Sequence, residues 1–268
     1  MRRNSFIFIF CLLSTVYCLG QTPKIDSLIL LLKTDKPDTT KLIHLYQISD
    51  ESETIGNYED GLNYGNQALQ LADLLLNKAD VAHSDLETTA KRYKAKAYSN
   101  IEIIYSDKGS NKEALKYYSS ALKIFIEINN KKGIGNVYNN IGNCYDNQSN
   151  SSEALKNYFA SLKIREEAGD KKGIAGSYNN IGLIYFNQGN YPEALKNYFA
   201  SLKMVESIDD KRGIAAALNN IGLVYTNQIN YSEALKKYFA SLKIREAIGN
   251  KRGIASSYSN IGLVYEYQ

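Results

Sequence analysis

No tryptophan occurs in the 268 residues, and only two histidines and three cysteines do. The histidines, His44 and His83, have no partners at the spacing of a metal site or a nucleophile–base–acid triad, so each reads as a surface or interhelix residue. Cys11 and Cys18 fall in a leader-like segment: Arg2-Arg3, an apolar run from Phe6 to Val16, then Cys18-Leu19-Gly20 ahead of polar Gln21. Cleavage near Gly20 leaves Cys144 alone, which excludes an internal disulfide and predicts an exported (periplasmic or extracellular) protein. Excess charge is missing as well. Lys and Arg total 32 against 28 acidic residues, and 30 against 28 once Arg2 and Arg3 are gone. No basic stripe of the kind that tracks phosphates is implied, so nucleic acid is not an expected partner. No apolar run after the leader is long enough to cross a bilayer, and a membrane enters only if the natural chain continues beyond Gln268.

The loops that hold nucleotides are lacking too. Gly133-Ile134-Gly135 has no third glycine and no strand before it, and Gly169-Asp170-Lys171-Lys172-Gly173 lacks the P-loop spacing. No catalytic residue, cofactor, metal or small-molecule substrate is expected.

What the chain has is repetition, with a period of 40 residues. Asn140-Ile141-Gly142 returns as Asn180-Ile181-Gly182, Asn220-Ile221-Gly222 and Asn260-Ile261-Gly262. Glu153-Ala154-Leu155-Lys156 returns at 193–196 and 233–236. Such a period predicts a solenoid whose units bury their apolar faces against their neighbours. Ile134, Val137, Tyr138, Ile141, Cys144 and Tyr145 share one helical face. A second helix carries Ala154, Leu155, Tyr158, Phe159, Leu162 and Ile164. Polar caps with Glu three residues on (Ser110/Glu113, Asn150/Glu153, Asn190/Glu193, Asn230/Glu233) open the second helices. Gly169 and Gly249 end them, and Asn130, Asp170, Asp210 and Asn250 cap the next first helices. Cys144 stands where Ile104, Ile184, Val224 and Val264 stand elsewhere, so it reads as a core residue.

Tyr178, Ile181-Gly182, Tyr185, Gly189, Ala194, Tyr198 and Ser201 together resemble the tetratricopeptide repeat, in a long form similar to kinesin light chains, Pins-type adaptors and extracytoplasmic parts of bacterial sensor proteins. The resemblance implies an all-α fold, a right-handed α-solenoid of antiparallel helix pairs. The expected organisation is a signal peptide at 1–20, a helical region at 21–97 with one degenerate repeat, and an array at 98–268. That array holds four full units and the first helix of another. Thirteen extra residues around Asn77 to Thr89 are expected to lengthen the degenerate unit's second helix or its loop. Glu102 at a glycine position, and Ser149 and Ile229 at the turn glycine, are departures from the pattern.

The first helices also carry a ladder of asparagines. Asn136, Asn140, Asn143 and Asn147 lie on a stripe opposite the core face, and Asn100 holds the matching place one unit earlier. Later units put Asn180, Leu183 and Asn187, then Asn220, Leu223 and Asn227, on the same stripe, flanked by Asn139, Asn179 and Asn219. Asn costs about half a kcal/mol against Ala in a helix, so its repetition calls for a reason. By the resemblance these places line the concave groove, where a carboxamide can both donate to and accept from a peptide main chain. The alternative is that the side chains bond neighbouring helices and stabilise the stack. Lys96 is the only basic residue on the stripe, which argues against a carboxylate clamp. Lys131-Lys132, Lys171-Lys172, Lys211-Arg212 and Lys251-Arg252 mark one edge, either a rim for an acidic partner or a solvated loop. The expected function is a scaffold binding a peptide or partner protein. A sensory region of a longer membrane signalling protein and a structural spacer are the alternatives.

Overall fold

The computed structural model describes residues 22–78 and 85–267. The leader-like segment and His83 lie outside the described residues. Among them there are twelve helices and no strand: α1 (Pro23–Leu32), α2 (Thr39–Thr54), α3 (Tyr58–Leu76), α4 (Asp85–Asp107), α5 (Asn111–Glu127), α6 (Lys131–Asn147), α7 (Ser151–Glu167), α8 (Lys171–Asn187), α9 (Tyr191–Glu206), α10 (Lys211–Asn227), α11 (Tyr231–Ala247) and α12 (Lys251–Tyr267). From α2 onward they pack as successive antiparallel pairs, the right-handed α-solenoid that the resemblance implies. α1 lies against α2, where Ile25 and Leu28 meet Ile48. The degenerate unit's extra length goes partly to the following first helix. α4 begins six residues before the place where α6, α8, α10 and α12 begin.

Within a unit, three contacts fix the pair. Tyr158, Tyr198 and Tyr238 of the second helices are buried, and their rings lie against Gly142, Gly182 and Gly222 of the first. A β-carbon at Gly142 would stand 2.5 Å from the Tyr158 ring, so the glycine makes room for an aromatic side chain. Ala154, Ala194 and Ala234 are wholly buried beside them. Ser161, Ser201 and Ser241 donate to the carbonyls of Gly135, Ala175 and Ala215 at 2.7, 2.9 and 2.7 Å. Phe159, by contrast, lies outside the core: it is 45 % exposed, as are Phe199 and Phe239 to similar degrees. It follows Tyr158 by one residue, which turns it about 100° off the buried face.

The caps form as the sequence predicts. The side chains of Asn130, Asp170, Asp210 and Asn250 accept from the amides of Gly133, Gly173, Gly213 and Gly253 at 2.9–3.0 Å. Asn150, Asn190 and Asn230 accept from Glu153, Glu193 and Glu233. Ser110 makes no such bond. The turn after each first helix is left-handed whatever the residue: Gly109 and Gly189 have φ of +74° and +71°, Ser149 and Ile229 +58° and +61°.

Candidate functional site

First helices touch one another from unit to unit (α2 with α4, α4 with α6, α6 with α8, α10 with α12), whereas second helices of successive units do not approach to the same extent. The stack therefore bends with the first helices on the inside. Cavities along that inner wall are lined chiefly by first-helix residues.

The asparagine stripe divides into two classes there. Asn180 Nδ2 donates to Asn139 Oδ1 at 3.1 Å, Asn220 to Asn179 at 2.7 Å, and Asn260 to Asn219 at 3.0 Å. Each bond reaches back 41 residues and ties one unit to the one before. Asn140 occupies the same place but meets Glu102, at 3.5 Å. Asn100, wholly buried, donates to Ser49 Oγ at 2.7 Å. These five rungs, with Asn139, Asn179 and Asn219, hold the stack. The remaining places face solvent: Asn136, Asn143, Asn147, Asn187 and Asn227 are exposed, Leu183 is 39 % exposed, and Leu223 is half-buried. Asn136 still accepts a bond from Arg165, and Asn143 accepts from the Tyr158 hydroxyl and, at 3.5 Å, from Asn180. Asn227 donates to the carbonyl of Leu223 on its own helix.

The cavities bring the predicted residues together unevenly. Asn100, Asn136 and Asn140 share one of about 560 Å³. Asn140, Asn143, Asn147, Asn180 and Leu183 share the next, and Asn136, Asn139 and Asn180 a third. Leu223 and Asn227 face a fourth with Leu263 and Tyr267. Asn179, Asn187, Asn219 and Asn220 line none of these.

Two arrangements could not be read from the sequence. Arg165 is 6 % exposed and donates to the Gly173 carbonyl at 2.8 Å, Ser177 Oγ at 2.9 Å and Asn136 Oδ1 at 3.0 Å. Arg245 repeats this with Gly253 and Ser257, both at 2.8 Å. Burial lowers the pKa of both guanidinium groups, Asp170 opposes the shift at Arg165, and carbonyl, hydroxyl and amide oxygens take the terminal donors while Arg165 Nε has no partner. The intervening unit has Val205 packed with Ala217, and the one before has Phe125 packed with Val137. A basic residue recurring at an apolar heptad-like place after 80 residues was the available signal.

The second is a cationic convergence. Arg92, Lys96 and Lys132 line the largest of these cavities together with Tyr46, Asp50 and Ser99. The Lys96 ammonium stands 4.7 Å from the Tyr93 ring centre and 5.2 Å from that of Tyr46. Burial lowers its pKa, Asp50 opposes the shift, and Arg92 and Lys132 add to it. Nearby, Glu102 is fully buried, and burial pushes its pKa up to about 10 against the opposing bond from Asn140. It is a neutral acid in the folded chain at pH 7. Cys144 is buried, and burial raises its thiol pKa, as suits a core residue. Among the described residues no group of acidic, His and Cys side chains has the form of a metal site, and no helix is long and apolar enough to cross a membrane.

A family model described as tetratricopeptide repeat matches residues 93–167 and 173–247, more than half of the chain. A search of curated proteins found no match. Among solved structures, BtubC (BKLC) from P. vanneervenii aligns with a TM-score of 0.65 at 17% identity, over 84% of this chain and 88% of that one. The apo quorum sensor NprR from B. thuringiensis aligns with a TM-score of 0.67 at 23% identity, over 91% of this chain and 64% of NprR. A Rap protein complexed with Competence and Sporulation Factor aligns with a TM-score of 0.63 at 16% identity, over 91% and 70%. At these identities the likeness is one of fold.

Proposed function

This chain belongs to the tetratricopeptide repeat family, and on that footing we propose that it is a protein-interaction scaffold that holds an extended segment of a partner protein in its concave groove. The observation that carries the reading is the exposed half of the asparagine stripe. Asn147 and Asn187 are exposed at the same place on successive first helices with both donors and the carbonyl unpaired, and Leu183, which shares a cavity with Asn147, stands between them. A segment lying along α6 and α8 meets main-chain partners at each carboxamide and an apolar contact at the leucine, without a demand for one side-chain type. Two of the solved neighbours, by their descriptions a quorum sensor and a Rap protein complexed with Competence and Sporulation Factor, support a recognition role. The leader-like residues 1–20 support action outside the cytoplasm, for which a mature protein beginning at Gln21 is the expected N-terminal sequence.

The two asparagine classes give the test. Changing Asn147, Leu183 and Asn187 together to Ala removes groove contacts and no bond between units. Capture of peptides selected from a random display library should fall at least tenfold, with unfolding unchanged within about 0.5 kcal/mol. Changing Asn180 and Asn220 to Ala removes three inter-unit bonds and should lower stability by about 1 kcal/mol for each residue. Saturable capture that survives the first variant places the ligand elsewhere, and a selection that yields no groove-dependent peptide sinks the reading.

A further inference from the structure

We propose that the outer surface of α7, α9 and α11 docks onto an anionic lipid headgroup layer. Phe159, Phe199 and Phe239 enter the layer, and the lysines beside them meet its phosphates. The second helices lie on the outside of the bend, so this contact goes beyond the groove reading and does not depend on it. The three phenylalanines recur at intervals of 40 residues, and all are exposed. Aligned exposed aromatic side chains mark an interaction surface. The fold does not require them. The same place, nine residues after the helix cap, holds Asn66 in α3 and Ser119 in α5. At Ser119 a cavity opens between α5 and α7, and the helix pairing continues across it.

Charge is arranged around the rings. Lys156 and Lys163 stand one turn to either side of Phe159 on the same helix surface. Lys196 and Lys203 do the same for Phe199, and Lys236 and Lys243 for Phe239. Lys163, Lys203 and Lys243 are exposed and form no ion pair among the described residues. Lys156, Lys196 and Lys236 pair with Glu153, Glu193 and Glu233 at 3.2, 3.0 and 2.6 Å, in exposed contacts that solvent and salt weaken. The Lys237 ammonium lies 5.8 Å from the Phe199 ring centre. No acidic residue lies within four positions of any of the three rings along the chain. Farther along, Glu166 and Glu246 accept the hydroxyls of Tyr178 and Tyr258.

This pattern selects the occupant. Lysines flank the ladder on both sides, so either two-fold pairing with a second copy sets lysine against lysine. A folded partner gains most from rings that seat in matched pockets at one fixed spacing. A headgroup layer needs no match of shape. It accepts projecting rings at any spacing, lets lysine stems lie along apolar surface and holds their tips at the phosphates. The contact is peripheral: among the described residues no helix is long and apolar enough to cross a membrane.

The chain has no tryptophan, so Phe199→Trp places a single fluorophore on the ladder. Added to the full chain, phosphatidylglycerol–phosphatidylcholine vesicles with brominated acyl chains should quench that fluorophore and blue-shift its emission. Vesicles of brominated phosphatidylcholine alone should bind at least tenfold more weakly. A Leu263→Trp reporter, on the inner wall, should not respond. That comparison separates the ladder from any contact made by the leader-like segment. In the Phe199→Trp background, Phe159→Ser/Phe239→Ser installs the residue type of Ser119 and should weaken binding tenfold or more. Lys163→Gln/Lys203→Gln/Lys243→Gln should do likewise. Should the serine pair unfold, the lysine variant, confined to exposed side chains, carries the test alone. Absence of quenching at position 199, equal response to the two lipids, equal quenching of both reporters or unchanged binding in the variants overturns the proposal. So does a blue shift that grows with protein concentration without lipid, which assigns the ladder to a second copy. Display-selected peptides that bind the wild type but not the serine variant, with no vesicle response, assign it to a protein partner and also overturn the lipid contact.

Discussion

Glu102 shows how much one residue can depart from a repeat that surrounds it. Three later units have glycine there, receiving a tyrosine ring, whereas this unit buries a carboxylic acid whose Oε2 has no partner. Its folded-state pKa of about 10 lies far above the unfolded value near 4.3. The folded chain therefore holds a proton that the unfolded chain releases. Stability from this group is full below about pH 4.3 and is lost as pH rises toward 10. In urea titrations between pH 5 and 9 the wild type should lose stability relative to Glu102→Gln, by up to about 1.4 kcal/mol per pH unit. Parallel curves for the two proteins would show that Glu102 does not carry the proton. That glutamate breaks the pattern was legible in the sequence. Its protonation was not, because that depends on Asn140 and on the burial supplied by α5 and α6, packed beside α4.

At the scale of elements, periodicity specified nearly everything that is local. Helix pairs, both sets of asparagine and aspartate caps, and the buried tyrosines follow from offsets within one unit. Contacts between units were less visible. Helical spacing shows which face Asn180 is on, but not that Asn139, 41 residues earlier, is what it meets. Phe159 was misplaced for a related reason: an apolar residue next to a buried tyrosine extends the pattern in sequence while turning away from it in space. The turns illustrate tolerance. Ile229 adopts a φ of +61° while 73 % exposed, so the conformation is imposed by the helices on either side and not by the residue. A β-branched side chain there costs about 1–2 kcal/mol. Ile229→Gly should stabilise the chain by about 1 kcal/mol, and Gly189→Ala at the equivalent turn should destabilise it by a similar amount, both read from chemical denaturation. A neutral Ile229→Gly would mean that the turn is not strained.

Across the whole molecule the two interleaved patterns do not have the same length. Helices, caps and asparagine rungs repeat every 40 residues, but the buried arginines of α7 and α11 meet serines, Ser177 and Ser257, that the unit between them replaces with Ala217 opposite Val205. Loss of one 40-residue block, joining α7 to α10, would set Arg165 against Ala217 and leave a guanidinium donor without its hydroxyl. Loss of two blocks would set it against Ser257 and restore the hydroxyl and the glycine carbonyl that it meets now. Loss of the block from α9 to α10 instead would keep both arginine–serine pairs, so the buried arginines fix where along the array a unit can be lost without stranding a charge.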